Sequence, residues 1–461
     1  MKVLLATHFF PPGHPGGTEA YTLGLARMLD RLGHSPAVIC AEDWGVGDSW
    51  RPRHKDTVFA GLPVRRLYWN WQLAPDPFVD MYNNSEVEGH FSRYLRELRP
   101  DIVHVTSCYA LGAGVIRASH EMGIPTFLTL TDFWFICPRH TLQRGDGSLC
   151  LGPETAAKCA HCMASASVVF RTMAALLTSR VVARGLLAVS RWPKVARLDG
   201  FRGYVGDVTK RLVFLRRVFD DIDVAIAPSR FLIEMFGRNG YPSERILLSR
   251  YGLDTSWLPQ LRTRHPGVRP CIGYIGQIDP IKGVDLLIRG FQTVADQVSA
   301  ELRIYGDLTK NPGFSAGLRR MADRNPDIRF MGPFERSQIA SVFSDLDILV
   351  VPSVWYENAP VVIAEAFAAR KPVITTDLSG MTELVEHGVN GLVFQRGDVS
   401  GLASQIRLLV EDAALRERLR QGIKPVRTIE DEVESLLRLY STAAKRALSR
   451  LPRSPSRSHQ E

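Results

Sequence analysis

Short apolar runs alternating with longer amphipathic stretches organise this chain. Val3–Thr7 is an apolar run closed by the Pro/Gly-rich stretch Pro11–Gly17, and from Thr18 to Leu32 apolar positions follow the helical period. The pattern predicts a buried strand, a loop and a helix capped by Thr18, the first unit of a parallel sheet. Further runs at Ala37–Cys40, Ile102–Thr106, Thr126–Thr131 and Val224–Ala227 are separated by enough chain for helical crossovers.

A denser alternation starts at Cys271. Strands are predicted at Cys271–Ile275, Leu302–Tyr305, Ile328–Met331, Ile348–Val351 and Val373–Thr375, and helices at Val284–Val298, Ser337–Ser344 and Val361–Arg370. The whole reads as α/β, with two doubly wound, Rossmann-like domains facing a central cleft. The expected division is an N-terminal domain over 1–257, a Pro/Arg-rich linker over 258–270 holding the hinge, and a second domain over 271–425. A last helix over 426–448 packs back on the N-terminal domain in this reading, and the polar, Pro/Ser-rich tail 449–461 is expected to be disordered.

With 461 residues, 45% hydrophobic and 23% charged, the chain can build more than one core. Uninterrupted apolar runs long enough to span a bilayer are missing, because Arg171, Arg180 and Arg184 break the best candidate, Ser165–Val189. The start, MKVLLATHFFPPG, lacks a cleavage signal and reads as a strand, and seven cysteines then point to a reducing compartment. The expected location is cytoplasmic, with a peripheral position at the inner face of the membrane as an extension of that reading.

Ligands of doubly wound sheets bind beyond the carboxyl ends of the strands. In the first such loop Gly16 and Gly17 leave room for an anion at a helix start; their bland reading is a tight turn. In GYIGQIDPIKG, Gly276 and Gln277 follow a strand and Lys282 precedes Gly283 at a helix start, where a lysine neutralises a diphosphate or is simply solvated. After LDILVVPS come Glu357 and, seven residues on, Glu365; Asn358, Ala359, Pro360 and Val361 form the mouth of the intervening helix, with Pro360 as its first residue. Carboxylates there accept hydrogen bonds from sugar or ribose hydroxyls, whereas in isolation such a pair is ordinary surface charge.

Together these segments resemble family 4 of the retaining glycosyltransferases, whose two-domain architecture is called GT-B. The resemblance rests on the E-x7-E motif Glu357–Glu365, on Gly380, Glu383 and HGVNGLVF (His387–Phe394), on IAPSRF around Ser229, on YGLD around Gly252, and on Gly16–Gly17. It implies a transferase that uses a nucleotide diphosphate sugar donor and needs no metal for catalysis. Glu357 would bind the transferred sugar, Glu365 the ribose, and Lys282 the diphosphate, with Glu357, Lys282 and Asp132 as the catalytic set. The implied acceptor is a carbohydrate or lipid-linked oligosaccharide, as in surface polysaccharide assembly. Two positions depart from the family: Gln277 stands where an Arg is usual, and Thr131 replaces the His before Asp132, whose bland role is a cap or turn former. Rival readings are a GT-B nucleotide-sugar epimerase and a catalytically silent sugar-nucleotide-binding protein.

Two features stand apart. Cys137, Cys150, Cys159 and Cys162 form C-x12-C-x8-C-x2-C in a loop, 137–162, with little apolar content. A structural zinc site, isolated reduced cysteines, or an iron–sulfur or redox pair all remain open, with His140 and His161 as spare ligands. The formal charge of +9 is concentrated in a predicted helical insert over 163–218, from Arg171 to Arg217. That insert fits contact with an anionic membrane or a helical cover with its arginines in water; nucleic acid is not expected as a partner, since no groove-reading motif accompanies the charge.

Overall fold

The computed structural model describes residues 1–14, 16–165, 185, 208–262, 269–323 and 325–450. The N-terminal half is an eight-stranded sheet: β1 Lys2–Thr7, β2 Ser35–Asp43, β3 Arg53–Phe59, β4 Leu62–Tyr68, β5 Ile102–Val105, β6 Thr126–Thr129, β7 Val224–Ala227 and β8 Ile246–Leu248, ordered β3-β4-β2-β1-β5-β6-β7-β8. All pairings are parallel except β3 with β4. Alternate residues of its central strands enter different cores: Leu4, Ile39 and Val103 one, Val3, Val38 and Ile102 the other. Burial on both faces explains the near-continuous apolar runs in the sequence.

The C-terminal half repeats the plan with β9 Cys271–Ile275, β10 Glu301–Tyr305, β11 Ile328–Gly332, β12 Ile348–Val351, β13 Val373–Thr376 and β14 Gly391–Phe394, ordered β11-β10-β9-β12-β13-β14 and parallel throughout. Strand order reverses between β9 and β12, and in the first sheet between β1 and β5. Those two switch points are where a doubly wound sheet leaves a crevice for a ligand.

Several elements differ from the sequence reading. The first helix is Gly17–Arg31; Gly16, extended and without a side-chain bond, takes the cap position expected for Thr18. The helix expected to run to Val298 ends at Val294, and Ser337–Ser344 divides into a 3-10 turn, Arg336–Gln338, and the helix Ile339–Ser344. The antiparallel β3–β4 edge has no apolar alternation to announce it. It is held instead by Arg65, which binds Asp56 through Nε and Nη2 at 2.8 Å each and Glu97 at 2.8 Å.

The helix Ile429–Arg450 follows the second domain but packs on the first. Ile429, Val433, Leu436 and Tyr440, at helical spacing, enter the core formed by Val3, Leu5 and Leu25. The Tyr440 hydroxyl meets His104 Nδ1 at 2.5 Å, and burial pushes the His104 pKa down to about 3. The two crossings between halves run side by side: Leu253 N–H donates to Arg427 and Ile429 N–H to Leu253, each at 3.0 Å. Trp257, the last residue before the expected linker, docks on the second half, stacked 5.6 Å from Phe343, and 263–268 lie outside the described residues. So do 166–184 and 186–207, most of the basic insert, and 451–461 of the tail. No helix among the described residues is long and apolar enough to cross a membrane.

Candidate active site

At the β9/β12 switch point two loops are locked together. The β9 loop ends in a 3-10 turn, Pro280–Lys282, capped by Asp279, whose Oδ1 accepts from Ile281 N–H at 3.1 Å. Gly283 follows with φ 70°, and a Cβ there would lie 2.1 Å from the Pro352 carbonyl oxygen, so only glycine lets the β9 loop approach the β12 loop this closely. The approach brings Lys282 Nζ to Glu357 Oε1 at 2.7 Å and over the Trp355 ring at 4.9 Å. Ser353 Oγ and Trp355 Nε1 donate to the same oxygen at 2.8 and 2.9 Å, and none of these three bonds engages Oε2. Burial opposes ionisation of Glu357, yet the Lys282 charge and these donors hold its carboxyl below the usual range. The buried carboxylate is thus charged, fixed on one oxygen, and available on the other.

Behind this loop stands Gly380, where a Cβ would fall 1.6 Å from the Glu357 carbonyl oxygen. In front, the helix Val361–Ala368 starts without a side-chain cap; Pro360 is extended and precedes the helix, correcting its expected place as first helical residue. The first N–H groups, including that of Val361, are left to a ligand or water. Glu365, buried on this helix, pairs with Arg336 Nη1. Glu357 and Glu365 therefore have separate cationic partners. Gly276 and Gln277 are exposed at the rim; the Gly276 N–H bonds Tyr305 at 3.1 Å and the Gln277 carbonyl accepts from Tyr274 at 2.6 Å.

The β1/β5 switch point faces this cradle. A Cβ on Gly17 would meet nothing within 4 Å, whereas one on Gly16 would crowd the Glu19 carboxylate. Glu19 meets His8 Nε2 at 3.2 Å, and the rings of His8 and His140 lie 5.8 and 4.8 Å from that of Tyr109. Asp132 Oδ1 accepts from Trp134 N–H at 2.8 Å, so the turn-forming role is realised. Burial lowers the pKa of His140 while the Asp132 charge acts against it. His140 has φ 51°, and its Nδ1, like that of His8, is buried without a hydrogen-bond partner.

The two sites are joined at their loops. Asn358 Nδ2 donates to the Thr131 carbonyl at 2.8 Å, Tyr356 packs 5.0 Å from Phe231, and the Glu383 carboxylate accepts from Arg230 and Phe231 N–H at 2.9 and 2.6 Å. Glu357 and Asp132 are each one residue from the Asn358–Thr131 contact, on opposite walls of one cleft.

Residues 16–252 match the family described as Glycosyl transferase 4-like domain, and residues 269–412 match Glycosyl transferases group 1. The chain belongs to the family 4-like glycosyltransferases of GT-B architecture. Among similar proteins, an alpha-D-kanosaminyltransferase of Streptomyces kanamyceticus is 28% identical over 39% of this chain and 43% of its own. The capsular polysaccharide biosynthesis glycosyltransferase CapM of Staphylococcus aureus is 27% identical over 44% of this chain and 54% of its own. These matches thus span about half the length of either relative. Anabaena HepE, solved in complex with UDP and glucose, has the same fold, with a TM-score of 0.58 at 17% identity over 98% of this chain and all of that one.

Within this glycosyltransferase frame, sequence reasoning missed Arg336, His8, Glu19 and Tyr109, and took His140 only as a spare metal ligand. Arg336 carried one signal, the capping box Glu335–Gln338 at a strand end. The histidines carried none, because His8 and His140 are far apart in sequence. The four loop cysteines, Cys137, Cys150, Cys159 and Cys162, line a single cavity. All are free thiols, and among the described residues no three His, Cys, Asp or Glu side chains meet as placed around one point.

Proposed function

We propose that the chain transfers a hexose-like unit from a nucleotide diphosphate sugar to a carbohydrate or lipid-linked acceptor, with retention of anomeric configuration. The observation that carries this reading is the Lys282–Glu357 pair at the β9/β12 switch point, beside an uncapped helix mouth. A charged carboxylate next to an anion site suits a ligand that offers both hydroxyls and phosphates. Glu357 Oε2 would accept from a hydroxyl of the sugar, and Glu365, steadied by Arg336, from the ribose. Lys282 and the first N–H groups of Val361–Ala368 would stabilise charge on the departing diphosphate, supplying the electrostatics without a catalytic metal ion. Gly16 and Gly17 would let the acceptor or the phosphates approach the opposite wall, near Asp132.

In the step proposed, the acceptor oxygen bonds to the anomeric carbon as its bond to the phosphate oxygen breaks. Attack comes from the face the phosphate leaves, and the acceptor proton passes to that phosphate. The products are the glycosylated acceptor and a nucleoside diphosphate. The name of the CapM relative supports surface polysaccharide assembly as the setting. Contact with an anionic membrane is proposed from the sequence of 163–218 alone; vesicle flotation with and without anionic lipid tests it, and failure to bind either vesicle would refute it.

The test of transfer is a panel of UDP- and GDP-sugars offered with candidate acceptors, the product followed by NMR at the anomeric proton. The expected result is a product of the donor's anomeric configuration. An inverted product contradicts the mechanism. Isomerisation of donor without acceptor, or donor binding with no turnover on any acceptor, contradicts the transferase reading.

A further inference from the structure

The loop between β6 and the helix Ala156–Ala164 poses a problem of stability that its apolar content does not solve. Phe133, Trp134, Phe135 and Ile136 anchor its start in the core, but from Cys137 onward the buried apolar side chains described are Leu142 and, on the helix itself, Ala160 and Met163. His140 and Leu142 hold left-handed backbone conformations, φ 51° and 50°. Such residues cost about 1–3 kcal/mol each and persist only where surrounding structure fixes them. Yet the loop carries site residues. His140 lies against Tyr109, and the Gly147 carbonyl accepts from Arg396 of the second domain at 2.8 Å.

We propose that Cys137, Cys150, Cys159 and Cys162 bind one structural zinc ion that staples this loop and thereby shapes the acceptor-side wall of the cleft. Three separate pieces of chain bring the sulfurs to one cavity of about 40 Å³: Cys137 from the turn after β6, Cys150 from the returning loop, and Cys159 and Cys162 from one helix. The helical pair is three residues apart and so shares a face. Four thiolates around Zn²⁺ leave a net negative site; Arg139, Arg144 and Lys158 line the same cavity with one carboxylate, Glu154, which pairs with both Arg144 and Lys158, so the lining keeps an excess of positive charge to offset it. As placed, Cys137 and Cys159 pack against the core of the first domain, and Cys150 makes one weak bond, to the Gly152 carbonyl at 3.1 Å. Convergence on an ion requires the side chains to turn about χ1, the single torsion that places a cysteine sulfur.

The test is metal analysis of the full-length chain, purified without chelators from medium containing zinc and iron. The expected content is about one zinc per chain, in the tetrahedral Cys₄ pattern of structural sites. An organomercurial added to the native protein should release that zinc to a metallochromic dye as the thiols are consumed, a readout that needs no variant. The double substitution Cys159→Ser, Cys162→Ser should remove the zinc and open the loop to limited proteolysis between residues 140 and 155. Folded wild-type protein with zinc far below one per chain, iron in place of zinc, or zinc retained by the double variant would each overturn the proposal.

Discussion

Lys282 donates to Glu357 Oε1 at 2.7 Å, and this bond ties the loop after β9 to the loop after β12 where the strand order reverses. Glu357 is buried, so its charge depends on that partner.

Substituting Lys282→Met should remove donor binding and destabilise the fold by about 1–3 kcal/mol, because a buried carboxylate loses its cation. The pH dependence has a definite sign. In the wild type the Glu357 pKa is held down, so the pair contributes stability above the unfolded carboxylate pKa and loses it as pH falls. Denaturant titrations should therefore show the gap between wild type and variant shrinking toward acid pH. A gap that does not change with pH would exclude the pair as its source.

Glu383 accepts from the first two N–H groups of the helix Arg230–Arg238 across the domain boundary. Glu383→Ala should cost about 1–2 kcal/mol, the loss of a charged cap, and loosen the domain contact. A lower thermal midpoint with a larger radius of gyration in solution scattering is the expected pair of results. An unchanged radius would show that the clamp does not hold the halves together.

Two glycines should separate support from contact. Gly380→Ala drives a Cβ onto the Glu357 carbonyl and should both destabilise the protein and abolish donor binding. Gly17→Ala meets no atom within 4 Å, so the fold should stay within about 0.5 kcal/mol of wild type while turnover drops. Full activity in Gly17→Ala would remove that residue from the ligand surface.

Much of this was legible in the sequence, for physical reasons. Strands buried on both faces write continuous apolar runs, and the loops after β9 and β12 carry Lys282, Glu357 and Glu365 in short contiguous segments, so their place beyond strand ends singled them out while the roles expected of them came from the family resemblance. Gly16 in the cap position of Thr18 went unread because a glycine cap leaves no side-chain signal. The β3–β4 edge was hidden because Arg65 and its carboxylate partners, rather than alternation, hold it. Arg336, His8 and His140 join the cleft through tertiary packing between segments distant in sequence, which no local pattern encodes.

Glu432 offers an independent check on how the last helix docks. It accepts from Tyr21 Oη at 2.9 Å and Gly252 N–H at 2.6 Å, and burial pushes its pKa up to about 7. The folded protein then holds this proton more tightly than the unfolded chain does, so its contribution to stability falls as pH rises from about 4.5 to 7, by about 3 kcal/mol. Glu432→Gln should flatten this dependence relative to wild type. Parallel stability curves for the two proteins would contradict the buried docking of Glu432.

Glu365 is buried on the helix whose uncapped start faces the Lys282–Glu357 pair, and Arg336 fixes its carboxylate. Calorimetric titration of wild type and Glu365→Ala with UDP, GDP and their sugar conjugates reads the donor site without needing an acceptor. Wild type should bind at least one nucleoside diphosphate sugar, and the variant should bind it at least about tenfold more weakly, the loss of a charged hydrogen bond. Equal affinity in the two proteins, or no binding to wild type by any member of the panel, would contradict a nucleotide-sugar site between β9 and β12.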